Sequence, residues 1–449
     1  MKAFCEKHGK KIGAAAVWLL IWQLVTLLVD NRILLAGPWE TLLALAERVR
    51  QGSFWLTVGC SLLRIGSGFL AGLALGLLLA AAAGRFPLME ELLRPFMSLL
   101  KAIPVASFVV LFLIWWRSNV LAVAVSFCIV LPNIYVNTLE GIRNVDGGLL
   151  EMARVLEIPA WNRFFYIYRP ALKPYLDSAV RISVGMSWKS GVAAEVIGTP
   201  ALSMGEQLYL SKIYLDTAGV LAWTAVTVLA SVLCEKAVLA LWERFQRWEP
   251  RCRAAGGSPR RQDRGTVVLR LQQVSKSYGG VPVLQGVNAS YEAGKRYYFR
   301  TPSGSGKTTL FRLIAGLEEP DKGGLIRRMG SRISMVFQED RLCETYSALV
   351  NVDMVTGDRA SSREHLLCLL EEADLDRPCR ELSGGMKRRV AIVRAMAAGG
   401  DVILLDEPYT GLDHESRSRA EQYIRSRGAD SALLIATHIG EEETPETGQ

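Results

Sequence analysis

One glycine- and serine-rich segment has the residue types that hold phosphate groups. It reads Pro-Ser-Gly-Ser-Gly-Lys-Thr-Thr over residues 302–309. Residues 296–300 predict a strand and residues 309–317 have helical apolar spacing, so the segment lies at a strand-to-helix turn whose backbone N–H groups can bind phosphates. We predict that Lys307 reaches the β- and γ-phosphates of a nucleotide and that the Thr308 hydroxyl binds Mg²⁺. The predicted phosphate-binding residues are Ser303, Gly304, Ser305, Gly306, Lys307, Thr308 and Thr309.

The start of this loop departs from the strict phosphate-binding pattern, which has glycine where this chain has Thr301. A β-branched residue tolerates positive φ poorly, so we expect a different loop entry or weaker nucleotide binding. A flexible turn is the alternative interpretation of a Gly/Ser run. The Lys-Thr-Thr that follows argues against it.

Two carboxylates and one histidine follow predicted buried strands. Residues 403–405 predict a strand that ends in Asp406 and Glu407, and His438 follows a predicted strand over 432–437. The first carboxylate can bind Mg²⁺, and its neighbour can activate a water for attack on the γ-phosphate. His438 is a candidate contact to the same phosphate. Alone, the acidic pair also fits the N-terminal charge of a helix, and a lone histidine is usually structural.

Composition favours a membrane protein over a nucleic-acid-binding one. The 449 residues leave room for two or three domains. The net charge is +8, but half of the residues are apolar and the basic residues flank apolar runs. That pattern is typical of positive-inside anchoring, and no nucleic-acid partner is expected. The eight cysteines form no Cys-x-x-Cys pair, so reduced thiols are expected, and the four histidines lack metal spacing.

Residues 1–248 predict a helical membrane domain of about six spans, the first retained rather than cleaved as a signal peptide. The basic N-terminus and the basic segment after the last span place both ends in the cytosol. A soluble protein with buried core helices is the alternative, and it requires runs such as 65–84 to be enclosed by protein. The predicted spans are 13–29, 65–84, 102–116, 120–136, 179–197 and 218–241.

The remainder of the chain predicts a linker and a second domain. Residues 249–265 are rich in Gly, Pro and Arg and predict an interdomain linker. Residues 266–449 alternate short strands and helices, the pattern of an α/β domain, and no internal repeat is visible.

Residues 267–440 resemble the ATPase of ABC transporters, and the segment Leu382-Ser-Gly-Gly-Met386 is the specific marker. The resemblance implies a P-loop α/β fold with a helical subdomain. It also implies that Ser383, Gly384 and Gly385 form a turn at a helix N-terminus and bind the γ-phosphate of ATP held by the opposite subunit. The family usually has Gln where this chain has Met386.

The same resemblance implies further roles for single residues. Tyr278 is similar to the aromatic residue that stacks on adenine, Gln338 to the residue that links Mg²⁺ and water to the membrane domain, and Asp413 to the dimer-contact loop. Glu407 matches the general base and His438 the switch histidine. Without the resemblance, an ordinary surface role would be the default interpretation of Tyr278 and Asp413. The implied metal ligands are Thr308, Gln338 and Asp406. The helical subdomain between Gln338 and Ser383 is short.

Residues 151–170 resemble the cytosolic coupling loop of ABC importer permeases. Glu151, Ala153, Ile167 and Pro170 fall on the spacing of that loop. The departures are Met152 for Ala, Glu157 for a glycine and Arg169 for Leu. We expect a short helix, a turn and a proline-started span that lies in a groove on the ATPase. An ordinary amphipathic cytosolic loop is the alternative.

Residues 55–245 resemble permeases of the nitrate, sulfonate and taurine group, which includes carriers of thiamine-precursor pyrimidines. Arg181, Lys189 and Glu195 are charged residues at or near membrane depth, where such residues usually face a bundle interior or watery path. One hypothesis is that Lys189, with Arg181, gives the path a preference for anions. The alternative is a structural Lys189–Glu195 or helix-end pairing.

These resemblances imply an ATP-hydrolysing importer in the cytoplasmic (inner) membrane, with its ATPase on the cytosolic side and with ATP and Mg²⁺ as cofactors. The implied cargo is a small anion or a thiamine-precursor-like compound, delivered by an extracytoplasmic substrate-binding protein. The working unit is a homodimer or a pair with a paralogous half-transporter, because the composite site needs a second signature turn. An exporter or lipid flippase is one alternative, and an ATP-binding regulator with impaired hydrolysis is another.

Overall fold

A computed structural model describes residues 2–31, 33–254, 265–300, 302 and 304–437 of the chain, with side chains described from Gly13 onward except at residue 15. Thr301, Ser303 and His438 lie outside the described residues, as do linker residues 255–264. By their mutual contacts the residues form two units. One comprises Met1–Asn144 with Leu172–Trp248, and the other comprises Val145–Ala171 with Glu249–Gln449.

The regular elements described before residue 248 are all helical. They are α1 (Lys2–Val29), α2 (Pro38–Val49), α3 (Gly52–Arg85), α4 (Pro87–Ala102), α5 (Val105–Trp115), α6 (Ser118–Arg143), α7 (Gly147–Val155), α8 (Ala160–Arg163), α9 (Arg169–Gly198), α10 (Met204–Ile213) and α11 (Thr217–Arg247). Of these, α7 and α8 belong to the second unit, and a wide helical turn over Phe164–Tyr168 joins α8 to α9.

Small residues let α3 and α6 pack closely. A Cβ added at Gly68 would lie 2.3 Å from the Val123 carbonyl oxygen, and one at Gly72 would lie 2.9 Å from the Val130 side chain. Apolar helices in a lipid phase associate through such close backbone approach, because burial from water supplies no driving force there. The four-residue spacing of these glycines therefore builds the contact between the two helices.

Among the described residues, three helices are long and apolar enough to cross a membrane, namely α3, α6 and α11, and a fourth span results if α4 and α5 are one bent segment. They contain the predicted spans 65–84, 120–136 and 218–241. The described apolar part of α1 is short, and charged residues interrupt α9. The count of six spans therefore stays a prediction.

The predicted span over 102–116 is wrong in one respect, because these residues do not form one continuous helix. Helix α4 ends at Ala102, α5 begins at Val105, and the two meet at 102°. Pro104 causes the break, because it has no N–H to donate and it pushes the preceding residue out of the helical region. Ile103 accordingly has φ −71° and ψ 125°.

The second unit contains two sheets. Strands β1, β2 and β4 form an antiparallel sheet in the order β2-β1-β4, and a parallel sheet has the order β3-β7-β6-β5. Helices pack on the parallel sheet, as in other α/β domains. The strands are β1 (Val267–Tyr278), β2 (Val281–Glu292), β3 (Arg296–Phe299), β4 (Lys322–Arg327), β5 (Ile333–Val336), β6 (Val402–Asp406) and β7 (Ala432–Ala436). The helices are α12 (Lys307–Ile314), α13 (Ala348–Thr356), α14 (Arg359–Leu367), α15 (Gly384–Ala398) and α16 (His414–Arg427).

Apolar sequence explains the position of the central strands. Every residue of β5, β6 and β7 is buried, as expected for parallel strands covered on both faces. The loop over 145–171 shares this core, since Met152 and Ile167 are buried in one cluster with Phe311 of α12 and Met354 of α13. The loop is therefore packed as part of the second unit.

Candidate nucleotide site and coupling loop

The glycine-rich segment lies between β3 and α12, as its sequence predicts. Gly306 precedes the helix with φ +87°, a conformation that glycine adopts without strain. Lys307 is the first helical residue, and its Nζ donates a hydrogen bond to the Thr437 carbonyl oxygen at 3.4 Å. The lysine amine thus lies beside the end of β7, where the chain continues toward His438.

Thr308 and Asp406 are brought together from positions 98 residues apart. The Thr308 hydroxyl donates to Oδ2 of Asp406 at 3.0 Å. Asp406 ends β6 and is buried, and this burial raises the pKa of its carboxyl group, while the bond from Thr308 acts in the opposite direction. A hydroxyl and a carboxylate are oxygen donors of the kind that Mg²⁺ binds. These two residues therefore fit a magnesium site.

Glu407 follows the strand in an uncommon backbone conformation. Its φ is +50°, and its N–H donates to the Ala436 carbonyl oxygen at 3.0 Å. Strained backbone in non-glycine residues concentrates at functional sites. This conformation turns the chain directly after Asp406. The backbone therefore changes direction between the two successive acidic residues, Asp406 and Glu407.

Arg388 fixes this turn, and sequence reasoning missed it. Its buried guanidinium donates to the carbonyl oxygens of Asp406 and Glu407, each at 2.7 Å, and to that of Phe337 at 2.7 Å. An ion pair with Asp340 at 3.1 Å adds a charged partner. Five N–H donors make arginine suited to hold several carbonyl groups. Nothing in the sequence distinguishes Arg388 from the adjacent Lys387 and Arg389.

The residues of the signature segment lie at a helix N-terminus. Ser383 caps α15, and its Oγ accepts a hydrogen bond from the Met386 N–H at 3.3 Å. Gly384 is exposed, so its backbone is open to a ligand. Asp413 caps α16 in the same way, with Oδ1 accepting from the Ser416 N–H at 2.8 Å, and these bonds lower the pKa of Asp413.

Tyr278 and Gln338 are both accessible. Tyr278 lies at the end of β1, half-exposed, and its hydroxyl donates to Glu318. The Lys276 ammonium lies 5.6 Å from the centre of its ring. Gln338 is exposed two residues after β5, and its carbonyl oxygen accepts from Arg388 at 3.2 Å. The roles of both residues stay predictions.

The coupling loop contacts the helix that begins at the phosphate loop. Glu151 on α7 accepts two hydrogen bonds from Arg312 of α12, at 2.8 and 3.0 Å, and one from Arg341 at 2.8 Å. The Arg312 and Arg341 side chains hold the pKa of the Glu151 carboxyl below its usual value against the effect of burial. Arg312 also pairs with Glu318, which binds Tyr278. One network thus joins the loop, α12 and the candidate adenine-binding residue.

The departures in this loop have structural partners. Glu157 takes the left-handed conformation that a glycine would adopt, with φ +50°, and its carboxylate accepts from Nε of Arg332 at 3.1 Å. Arg169 is buried, donates to the Tyr346 hydroxyl at 3.2 Å and lies 5.3 Å from the Phe165 ring centre. Helix α9 begins at Arg169 and Pro170, which agrees with the predicted proline-started helix.

The proposed Lys189–Glu195 pairing is wrong. Lys189 is exposed, while the buried Glu195 accepts from the Ser61 hydroxyl at 2.7 Å and lies 3.8 Å from Arg64. Both Ser61 and Arg64 are on α3, so the carboxylate is turned toward another helix and away from its own lysine. All seven described cysteines are free, and the part of the chain that the structure describes holds no group of three or more His, Cys, Asp or Glu side chains that could bind a metal ion.

Comparisons with known proteins agree with this architecture. Residues 284–410 match the family described as ABC transporter, and residues 72–247 match the family described as binding-protein-dependent transport system inner membrane component. The aliphatic sulfonates import ATP-binding protein SsuB 1 of Pseudomonas syringae is 36% identical over 177 residues, which are 38% of this chain and 74% of that protein.

Two other relatives are matched over less of their length. The Fe(3+) ions import ATP-binding protein FbpC of Pseudomonas fluorescens is 35% identical over 191 residues, 38% of this chain and 54% of that protein. The Nod factor export ATP-binding protein I of Ralstonia nicotianae is 33% identical over 196 residues, 39% of this chain and 61% of that protein. This chain therefore spans little more than half of these two relatives.

The fold, the candidate nucleotide site and the sequence matches together define an ATP-binding cassette joined to a helical permease. The chain belongs to the ABC transporter family, as an importer-type permease domain fused to an ABC ATPase domain. The second part of the chain therefore binds and hydrolyses ATP, and the first part is a membrane domain.

Proposed function

We propose that this chain uses ATP hydrolysis on the cytosolic side of the cytoplasmic membrane to import a small solute that an extracytoplasmic binding protein delivers. The observation that carries the proposal is the set of hydrogen bonds that Arg312 and Arg341 donate to Glu151. Arg312 is on the helix that begins with Lys307 and Thr308, and Arg341 comes three residues after Gln338. A nucleotide that moves either segment would move the loop of the permease.

The proposed hydrolysis assigns one role to each described residue. Lys307 and the backbone of residues 304–306 bind the phosphates, and Thr309 borders them. Thr308 and Asp406 hold Mg²⁺, which when bound neutralises phosphate charge, and Gln338 completes this set. Glu407 accepts a proton from the attacking water, and Arg388 holds the Glu407 backbone in place. Ser303 and His438, outside the described residues, join the phosphate contacts, and Tyr278 stacks on the adenine.

The working unit in this proposal is a dimer. Ser383, Gly384 and Gly385 lie at an exposed helix start, where their N–H groups suit an anionic ligand from a facing subunit. Asp413 lies at the start of the next helix and contacts the same facing subunit. A second copy of this chain is the simplest partner, and a paralogous half-transporter is the other.

A small anion is the proposed cargo. The sulfonate-import name of several relatives and the basic Arg181 and exposed Lys189 on α9 both support this class. A thiamine-precursor-like compound is the second candidate. Uptake of labelled taurine, an alkyl sulfonate, nitrate and a pyrimidine precursor by cells that express the chain with its binding protein tests the choice. Failure of all anions to compete for uptake would overturn the anion assignment.

Export is the competing direction, and one relative is named for export. The match of residues 72–247 to binding-protein-dependent permeases favours import. Vesicles of defined orientation separate the two directions, because ATP supplied on the cassette side should drive solute toward that side. Accumulation on the opposite side would support an exporter or flippase. ATP binding without any Mg²⁺-dependent turnover would support the third candidate, an ATP-binding regulator with impaired hydrolysis.

A further inference from the structure

The first linker residues lie on the coupling loop, although the sequence predicts only a polar connection. We name residues 249–254 the strap. The Asn162 side chain donates from Nδ2 to the Arg253 carbonyl oxygen at 2.8 Å and accepts from the Arg253 N–H at 2.9 Å. The same Nδ2 donates to the Met354 carbonyl oxygen in α13 at 2.8 Å. Asn162 is fully buried, so one amide joins strap, loop and α13.

Two more contacts hold the strap to the loop. The Arg253 guanidinium lies 4.1 Å from the Trp161 ring centre, within the range of a cation–π interaction. The Tyr166 hydroxyl donates to the Pro250 carbonyl oxygen. Between these points the Cys252 thiol faces Tyr166 and Asp353, and burial raises the pKa of Cys252 to about 12.

The cassette leaves space for the strap at one glycine. Gly357 follows α13 with φ +67°, and a Cβ there would lie 2.1 Å from the Ala254 nitrogen. Real Cβ atoms do not approach backbone so closely, so any larger residue would displace the strap. Gly330 has a similar φ of +79° but nothing within 4 Å of its Cβ position, so it offers a matched control for backbone strain.

We propose that the strap fastens the coupling loop to the cassette of its own chain. Releasing it would remove both hydrogen bonds that the buried Asn162 amide makes with the Arg253 backbone, which opposes release. The covalent connection also keeps the strap at high effective concentration beside its site. In a dimer with two loops and two cassettes, each loop then pairs with the cassette of the same chain. This consequence for transport rests on the function proposed above.

The test measures how fast N-ethylmaleimide alkylates Cys252 in the purified full-length chain, with exposed Cys368 as internal reference. Gly357→Ala should raise the relative rate at least about tenfold, because displacement of the strap moves the partly exposed Cys252 thiol away from Asp353 and Tyr166 and lets it ionise more readily. Gly330→Ala should leave it within about twofold of the unmodified chain, since it adds comparable backbone strain away from the strap.

A second variant acts from the loop side. Asn162→Ala should raise Cys252 alkylation and also the hydrogen exchange of Phe164–Tyr168, whereas Asn144→Ala, which loses bonds only within its own helix turn, should change neither. Equal Cys252 rates in Gly357→Ala and Gly330→Ala would overturn the proposal. So would faster alkylation in Asn162→Ala with unchanged exchange of the loop. Both readouts are independent of solute import, so a failure of the proposed transport function would leave them interpretable.

Discussion

The Glu157 carboxylate accepts a 3.1 Å hydrogen bond from Nε of Arg332, and Glu157 itself has φ +50°. The coupling loops that this segment resembles have a glycine at this position. A left-handed conformation costs a non-glycine residue about 1–2 kcal/mol. The pair with Arg332 offsets part of that cost, because the glutamate side chain is half-exposed and such pairs contribute about 0.2–1 kcal/mol.

Replacing Glu157 therefore gives an unusual order of stability. Glu157→Ala keeps the strain and loses the ion pair, whereas Glu157→Gly loses the pair but also the strain. We expect the glycine variant to be the more stable of the two by about 1 kcal/mol. Thermal unfolding of the cassette in the full-length chain measures this difference. A higher midpoint for the alanine variant would contradict the described backbone conformation.

Glu151→Ala should loosen the coupling loop without preventing ATP binding. It removes three charge-assisted hydrogen bonds from a partly buried carboxylate, and we expect a loss of about 2 kcal/mol in docking, or roughly thirtyfold faster hydrogen exchange in α7. Glu364→Ala is the control, since it removes an exposed pair with Arg427. Unchanged exchange of α7 in the Glu151 variant would show that these bonds do not hold the loop.

A fall in pH should weaken the contact of Glu151 with Arg312 and Arg341. The pKa of Glu151 is lowered from 4.5 in the folded chain, chiefly by its bond to Arg312. A lowered pKa means that the contribution to docking is complete above pH 4.5 and is lost as the pH falls below it. Protection factors of α7 amides, corrected for intrinsic exchange, should fall in that window. Glu151→Gln should not show this fall, and an identical pH profile in both proteins would contradict the assignment.

The close contact of α3 and α6 predicts opposite results for two neighbouring glycines. Gly68→Ala would place a Cβ 2.3 Å from the Val123 carbonyl oxygen, and we expect a destabilisation of about 1–3 kcal/mol. Gly66→Ala meets nothing within 4 Å, so it should be neutral or stabilising by up to about 1 kcal/mol. Thermal midpoints of the detergent-solubilised membrane domain compare them. Equal midpoints would show that the helices do not pack at Gly68.

Local patterns predicted the parts of the nucleotide site that depend on one element. The apolar run that ends at Asp406 fixes a strand end, and the Ser-Gly-Gly of residues 383–385 lies at a helix start as the resemblance implies. The meeting of Thr308 with Asp406 follows from a strand and a helix of one α/β domain. These features follow from residue type and short spacing.

Other features required long-range geometry. Arg312 and Arg341 lie 161 and 190 residues from Glu151, and many other arginines have similar local sequence. The partner of Glu195 is on α3 and not on its own helix, which periodicity does not reveal. Hydropathy alone also missed the break at Pro104, because the apolar run continues through it. The sequence predicts only a linker over the strap, because the strap makes its contacts largely through backbone atoms, which residue types do not reveal.

Hydrolysis of Mg²⁺-ATP by the purified full-length chain and its Glu407→Gln variant tests the central claim most directly. Because Glu407 is assigned as the base that accepts the proton of the attacking water, the variant should bind ATP with little change and hydrolyse it about 10²–10⁴-fold more slowly. Turnover by Glu407→Gln at the rate of the unmodified chain would contradict the account.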